Sequence, residues 1–210
     1  MARVINVHGV KVPNPLAMKF EVSDLLLTPS AFTFASKEEA KRSPLAEMLF
    51  GFDYVSQVFI AKNFITVTKI DEMPSWDQVM IDVRIIIKKH LEAGLPVFDF
   101  DSTAMPELPE NEPYLSEKIR EMIETQIHPA TWQDGGEIYF DSFEDGVVKV
   151  KMAGACVRCP FAPRTLKNGV EVLLMRHFPD VKSVTSDDVN WDETQQEETP
   201  LPPVDEAQKE

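Results

Sequence analysis

Cys156 and Cys159 are the residues of this chain whose type and spacing could do chemistry. They are the only two cysteines in 210 residues, and two residues separate them. A tetrahedral zinc site and the usual shell of an iron-sulfur cluster each take four protein ligands, so the pair supplies half of either. A metal site built on these thiols would have to be shared between two chains.

The sequence around the pair favours an anionic ligand set. The loop is predicted to leave the end of a strand and enter a helix, where backbone N–H groups and the helix N-terminus lower the pKa of a thiol. Arg158 lies between the two cysteines, and Pro160 suits the first position of a helix. We therefore expect thiols that ionise readily.

A lone Cys-x-x-Cys leaves several functions open. A dithiol oxidoreductase would use the pair within one chain, although that motif normally sits in a larger βαβ setting than this one. A zinc-bridged dimer would share the pair between chains, and an adaptor protein would carry two thiols with no ligand.

The elements that position the loop form two small units, and the fold class predicted is α+β. Residues 1–98 alternate extended segments with a helix near Ser43–Phe50, a hairpin over residues 55–69 and a long amphipathic helix from Ser75 to Leu91. Residues 99–112 are acidic and rich in proline, which is typical of an exposed linker. Residues 113–186 form the second unit, and residues 187–210 read as a disordered acidic tail.

The second unit is predicted to run helix, strand, strand, cysteine loop, helix, strand. Its first helix carries a line of apolar residues and is expected to stop at His128-Pro129, because the residue before a proline avoids the helical conformation. Gly135 and Gly136 indicate a turn with positive φ, and a hairpin follows on either side of Glu144-Asp145-Gly146.

Charge and composition argue against two classes of partner. The net charge of −14 comes mainly from the linker and the tail, whereas acidic and basic side chains nearly balance within each unit. A nucleic-acid binder needs a basic face, so no nucleic-acid partner is expected. No apolar run approaches the roughly 20 residues that cross a bilayer, so no membrane partner is expected either.

The N-terminus and the histidines carry little further signal. Residues 1–8 lack both an apolar signal core and a transit-peptide composition, so a cytoplasmic protein with reduced thiols is expected. His8, His90, His128 and His177 have no partner at metal-ligand spacing and are expected to be structural or solvated.

Several segments together resemble the Nfu-type iron-sulfur cluster scaffold and carrier proteins, which are related to the C-terminal domain of NifU. In the second unit the matching segments are Ile127-His128-Pro129, Gln133-Asp134-Gly135-Gly136, Phe143-Glu144-Asp145-Gly146, the loop Gly154 to Pro160, and Thr165-Leu166-Lys167-Asn168-Gly169-Val170-Glu171. In the first unit they are Pro13-Asn14-Pro15, Met18-Lys19-Phe20, Ser43-Pro44-Leu45-Ala46, and Asp53-Tyr54-Val55 through Phe64-Ile65-Thr66-Val67-Thr68-Lys69.

The resemblance implies that Cys156 and Cys159 ligate a 4Fe-4S cluster whose other two ligands are the same cysteines of a second chain. It also implies a carrier without catalytic turnover, which receives the cluster from a donor and passes it to recipient apo-proteins, with the first unit helping to recognise them. Family members commonly place small or polar residues around the cysteines, whereas this chain has Val157, Arg158, Phe161 and Arg164 there.

Overall fold

The chain folds into two α+β units, as predicted. The computed structural model describes residues 5–23, 25–99, 113–189 and 191. Residues 100–112 and 192–210 lie outside the described residues, and with them most of the predicted linker and tail.

The first unit is built on a five-stranded sheet in which every neighbouring pair is antiparallel, in the order β1-β2-β5-β4-β3. The strands are β1 Val7–Lys11, β2 Ala17–Val22, β3 Phe32–Phe34, β4 Val55–Ala61 and β5 Phe64–Lys69. The predicted hairpin is confirmed as β4 and β5. Its tight turn places Lys62 in the left-handed region, at φ 40°.

Three helices complete this unit: α1 Lys37–Ala40, α2 Pro44–Leu49 and α3 Trp76–Glu92. The long helix begins where the sequence indicated, with the Ser75 backbone N–H donating to Gln78 Oε1 over 2.9 Å. Val83 and Ile87 are fully buried on its inner face, so the predicted apolar stripe is the core face of α3.

Side chains on both faces of the central strands are buried, whereas a strand with one solvent-exposed face would alternate buried and exposed residues. In β4, Val58 and Ile60 join the core beneath the helices, whereas Phe59 and Ala61 belong to a separate cluster with Ala153 of the second unit. Successive side chains of a strand point to opposite faces, so the second face of the sheet contacts the second unit.

The second unit has a three-stranded sheet, with helices before its first strand and between its second and third strands. The hairpin strands β6 Gly136–Glu144 and β7 Val147–Gly154 pair antiparallel, and β8 Ser183–Thr185 adds to β7 in parallel. The helices are α4 Tyr114–Met122, α5 His128–Gln133, α6 Ala162–Arg164 and α7 Val172–His177. Ile138, Val148 and Val150 are fully buried in the core of this unit, and the predicted hairpin is confirmed as β6 and β7.

The expectation that the first helix stops at His128-Pro129 is wrong. A π-helical turn, Ile123–Ile127, joins α4 to α5, and the helical path continues to Gln133. Proline lacks a backbone N–H and its ring crowds the carbonyl four residues earlier, and the wider π turn just before it relieves both problems. A second π turn, Thr165–Glu171, joins α6 to α7.

Contacts of the second unit continue past the predicted boundary at residue 186. Asp188 Oδ2 accepts the Met152 backbone N–H over 2.8 Å, and Val189 is buried. The Trp191 indole donates to the Ser186 carbonyl oxygen over 3.2 Å. A count of apolar residues did not indicate these contacts, because two of the three depend on hydrogen bonds.

Across residues 5–23, 25–99, 113–189 and 191, no helix combines the length and apolar character needed to cross a membrane.

Candidate metal centre

The cysteine loop leaves β7 through a sharp turn. Gly154 ends the strand at φ 59°, and Arg158, between the cysteines, also has a left-handed φ of 56°. The Cys159 backbone N–H donates to the Cys156 carbonyl oxygen over 3.4 Å, and the Ala162 N–H donates to the Cys159 carbonyl oxygen over 3.0 Å. This series of tight turns brings the chain from the strand end to the first residue of α6.

The loop brings the two predicted ligands together at one cavity. Cys156 and Cys159 are both free thiols, both partly buried, and both line a cavity of about 360 Å³. Asp134, Phe161 and Arg164 also line it. The structure therefore places the paired thiols at a common opening.

Gly136 makes room for the first thiol. A Cβ atom at this position would lie 2.5 Å from Cys156 Sγ and 2.7 Å from the Cys156 backbone nitrogen. The sequence predicted a positive φ for both glycines of the pair. Gly135 has one, 74°, whereas Gly136 is extended as the first residue of β6 and is required for space.

Burial raises the pKa of Cys156 from its ordinary value of 9.0 to about 12. Negative charge on Cys159, Asp134 and Glu137 raises this pKa further, while a hydrogen bond from the Glu137 backbone N–H opposes the rise. The metal-free protein therefore keeps Cys156 as a neutral thiol at physiological pH.

Burial also raises the pKa of Cys159, although backbone N–H groups of Phe161 and Ala162 donate to its sulfur and oppose the rise. The expectation of thiols with lowered pKa values is thus wrong for the metal-free protein. The N–H donors at the start of α6 are present as expected, but burial outweighs them.

The residues flanking the cysteines take separate positions. Arg158 is exposed and lines a neighbouring cleft with Asp71 and Glu72 of the first unit. Arg164 lines the thiol cavity, and the half-exposed Phe161 ring stands at its edge. The proline in the first turn of α6 is Pro163, and not Pro160 as the sequence suggested.

The buried histidines have structural partners. His128 Nε2 donates to the Ile138 carbonyl oxygen over 2.8 Å, and its Nδ1 lies 3.2 Å from Glu137 Oε1. His90 Nε2 donates to the Pro96 carbonyl oxygen over 2.9 Å. The structural role expected for these two histidines is confirmed.

Sequence reasoning missed the contribution of the first unit to the site. Asn14 is 1% exposed, and its side-chain nitrogen donates to the carbonyl oxygens of Ala155 and Val157 over 2.9 and 3.2 Å. An asparagine between Pro13 and Pro15 was visible as a motif, but nothing in its spacing linked it to residues more than 140 positions later.

Among the described residues, no group of three or more His, Cys, Asp and Glu side chains is placed to hold a metal ion. A four-ligand metal shell would need two ligands beyond this thiol pair.

Two family models match the chain, one in each unit. "Scaffold protein Nfu/NifU N terminal" matches residues 7–94, and "NifU-like domain" matches residues 119–185. A human protein named "NFU1 iron-sulfur cluster scaffold homolog, mitochondrial" is 34% identical over 200 residues, covering 95% of this chain and 78% of that protein. This chain belongs to the Nfu family of scaffold proteins. The resemblance read from its motifs is confirmed.

Two further relatives of this Nfu-type protein carry related names, and one solved structure aligns with part of the chain. A Drosophila willistoni protein with the same name is 35% identical, covering 87% of this chain and 63% of the fly protein. "NifU-like protein 5, mitochondrial" of Arabidopsis thaliana is 34% identical, covering 87% of this chain and 68% of the plant protein. A solved NifU-like protein from Saccharomyces cerevisiae aligns with a TM-score of 0.41 at 23% identity, covering 47% of this chain and 87% of the yeast chain.

The expected cytoplasmic location of this Nfu-type protein is wrong, because the human, fly and plant relatives are all named mitochondrial. Location is set by sorting signals that are read by receptors and that do not take part in the fold. Residues that build the two units therefore carry no information about it.

Proposed function

We propose that this protein carries a 4Fe-4S cluster bound by Cys156 and Cys159 of two chains, and that it transfers the cluster to recipient apo-proteins. One observation carries the proposal: both thiols line one cavity, and they supply half of the ligands that a cluster needs. The human relative is named an iron-sulfur cluster scaffold, which supports the same cargo.

The raised pKa values of the metal-free thiols count against dithiol chemistry. A disulfide oxidoreductase needs a thiol of lowered pKa, because the thiolate is the nucleophile. Here burial holds the pKa of Cys156 near 12. An iron ion replaces the thiol proton directly, so cluster binding can proceed at neutral pH with release of protons.

A site shared between chains suits hand-over. Each chain contributes two ligands from a loop at the end of β7, so separating the chains or exchanging one thiol pair for another would free the cluster. A cage of four ligands within one chain would hold it more firmly. No catalytic turnover is needed for this role.

The mitochondrial names of the relatives support a mitochondrial location, with apo-proteins of that compartment as recipients and an assembly protein there as the donor. We propose no nucleic-acid and no membrane partner.

Anaerobic reconstitution with iron and sulfide tests the proposal. Iron, acid-labile sulfide, zinc and absolute mass are measured on one sample. We expect about four irons and four sulfides per pair of chains. Cys156→Ser should lose the iron and the paired mass together.

Arg158→Gly is the matched control, because it alters the loop between the cysteines while keeping both thiols. Arg158 has a left-handed φ of 56°, which glycine adopts freely, so the loop should keep its path and its iron. Zinc in place of iron would contradict the proposed cargo. A metal-free monomer that forms a reversible disulfide would indicate a dithiol redox function instead.

A further inference from the structure

The second face of the first unit's sheet packs against the unit that carries the cysteines. Phe59, Ala61 and Phe64 of β4 and β5 are buried in one cluster with Ala153 of β7, and Trp132 packs against it. The Lys62 ammonium lies 3.7 Å from the centre of the Trp132 ring. An apolar sheet face is thus covered by the second unit.

Two glycines allow the units to approach closely beside the cysteine loop. A Cβ at Gly154 would lie 2.7 Å from Phe59 Cδ1, and a Cβ at Gly135 would lie 2.9 Å from Thr66 Oγ1. Both glycines have left-handed φ values, 59° and 74°. The backbone at one end of the β6–β7 pair, where Gly136 pairs with Gly154, therefore rests directly on the first unit.

Specific hydrogen bonds fix the register of this contact. Asn14 Nδ2 donates to the Ala155 and Val157 carbonyl oxygens, which flank Cys156 on either side. Thr66 Oγ1 donates to the Gly135 carbonyl oxygen over 2.7 Å. Asn14 Oδ1 accepts the Leu16 backbone N–H over 3.0 Å, so both the nitrogen and the oxygen of the side-chain amide are hydrogen-bonded.

We infer that the first unit is a docking platform for the cysteine loop and that Asn14 is a positioning residue of the thiol site. Pro13 and Asn14 form one wall of the cavity into which both thiols open. The docked first unit fixes the backbone around Cys156 and limits access to the thiols. This inference concerns the metal-free chain and does not depend on which ligand the thiols hold.

Asn14→Asp in the metal-free, full-length protein tests the inference. The substitution keeps the shape and the acceptor for Leu16 but turns a carboxylate oxygen toward two carbonyl oxygens, which leaves no donor for them. The Asn63→Asp variant is the matched control, since Asn63 is exposed in the β4–β5 turn of the same unit.

Two measurements are made on each variant: the iodoacetamide labelling rate of each cysteine, and deuterium uptake of the segments 12–16 and 153–160. We expect Asn14→Asp to raise both labelling rates and the uptake of both segments by about fivefold or more, the factor that follows from about 1 kcal/mol. Asn63→Asp should match the unmodified chain. A purely local role would raise uptake at 12–16 alone, and that result overturns the inference.

Thr66→Val provides a second, independent variant in case Asn14→Asp disturbs the fold of the first unit. It removes the hydroxyl bond to Gly135 and keeps the side-chain volume close to that of threonine. Circular dichroism is measured first to establish that the variant is folded. Faster labelling of Cys156 and higher uptake at 153–160 support the docking surface, and values equal to those of the unmodified chain overturn it.

Discussion

Burial decides the chemistry of the two thiols at the scale of single residues. Arg158 between the cysteines and the N–H groups after them pointed to lowered pKa values, but the structure raises both. Arg158 turns to a cleft with Asp71 and Glu72, away from the cavity of the thiols. A charge close in sequence affects a thiol only if the fold places it close in space.

The pH profile of thiol labelling should show this burial. In the metal-free protein the labelling rate of Cys156 should reach half of its maximum well above pH 9, near the pKa of about 12. In Cys159→Ser the profile should move to lower pH, since the charge of Cys159 is the second cause of the shift. Labelling followed by mass spectrometry gives the rate at each cysteine.

The same shift has a consequence for stability. A thiol whose pKa is raised by folding stabilises the folded state below its ordinary pKa and loses that contribution as pH rises. The free energy of unfolding should therefore fall between pH 9 and about 12. A half-maximal rate for Cys156 at or below pH 9 would contradict both expectations.

Gly136→Ala should disturb the thiol site by steric conflict alone. The added Cβ would lie 2.5 Å from Cys156 Sγ and 2.8 Å from the Ala153 carbonyl oxygen, so the loop must move. We expect a loss of about 1–3 kcal/mol in the free energy of unfolding, as in overpacked cores, and a large loss of bound iron after reconstitution.

Gly169→Ala is the matched glycine variant. Nothing lies within 4 Å of a Cβ at that position, and its φ is not left-handed. Its iron content should be unchanged, and its stability should rise by about 0.4–1 kcal/mol because alanine restricts the unfolded chain. Equal iron loss in both variants would show that space beside Cys156 is not the cause.

At the scale of secondary-structure elements, the helical segment after the cysteine loop supports the thiol site. Leu166 and Leu174 are fully buried in the core of the second unit, and Ala162, where α6 begins, contributes its N–H next to Cys159. The loop is therefore held between a strand that ends and a helical segment that begins. Both ends are anchored by the same core.

Leu166→Ala should destabilise the core that holds the helical segment after the cysteine loop. Replacing a buried leucine by alanine lowers the free energy of unfolding by about 2–5 kcal/mol. The loss combines the hydrophobic transfer free energy of the removed atoms with the cost of the cavity that they leave. Val172→Ala on the same helical segment is the control, since Val172 is 46% exposed and should change stability by less than about 0.5 kcal/mol. Urea unfolding followed by circular dichroism measures both, and equal losses would contradict this assignment of the core face.

Helix ends were the least predictable feature at this scale. Pro129 predicted an end, but the π turn Ile123–Ile127 carries the helical path through it to Gln133. A π turn depends on how α4 and α5 both pack against β6, and packing is absent from a local pattern of apolar residues. The strands of both hairpins were predictable, because alternation and turn residues are local signals.

At the scale of the whole molecule, the number of ligands sets the number of chains. Under the proposed function, two thiols per chain mean that the cluster-bound form needs a second copy, and that removing iron removes the link between the chains. We expect the reconstituted protein to sediment as a dimer and to return to the monomer when an iron chelator strips the cluster. Cys156→Ser, treated identically, should remain monomeric throughout. A metal-free chain that is equally dimeric would separate assembly from cluster binding.

The contact between the two units also concerns the whole molecule, and the sequence predicted it only in part. Val58-Phe59-Ile60-Ala61 is a continuous apolar run, and such runs are typical of strands buried on both faces. The run therefore indicates that something covers the second face of the sheet. It does not indicate that the cover is the unit that carries the cysteines.

The sequence by itself determined the α+β class, both hairpins, the long helix, the family and the thiol pair, because each depends on residue type at short spacing. Tertiary structure alone decided the raised pKa values of the thiols, the space at Gly136 and the contact of Asn14 with the cysteine loop. These features depend on burial and on atoms brought together from distant positions, such as Asn14 and Ala155 at 2.9 Å. No local pattern encodes such contacts, because they arise only when segments far apart in the chain pack together.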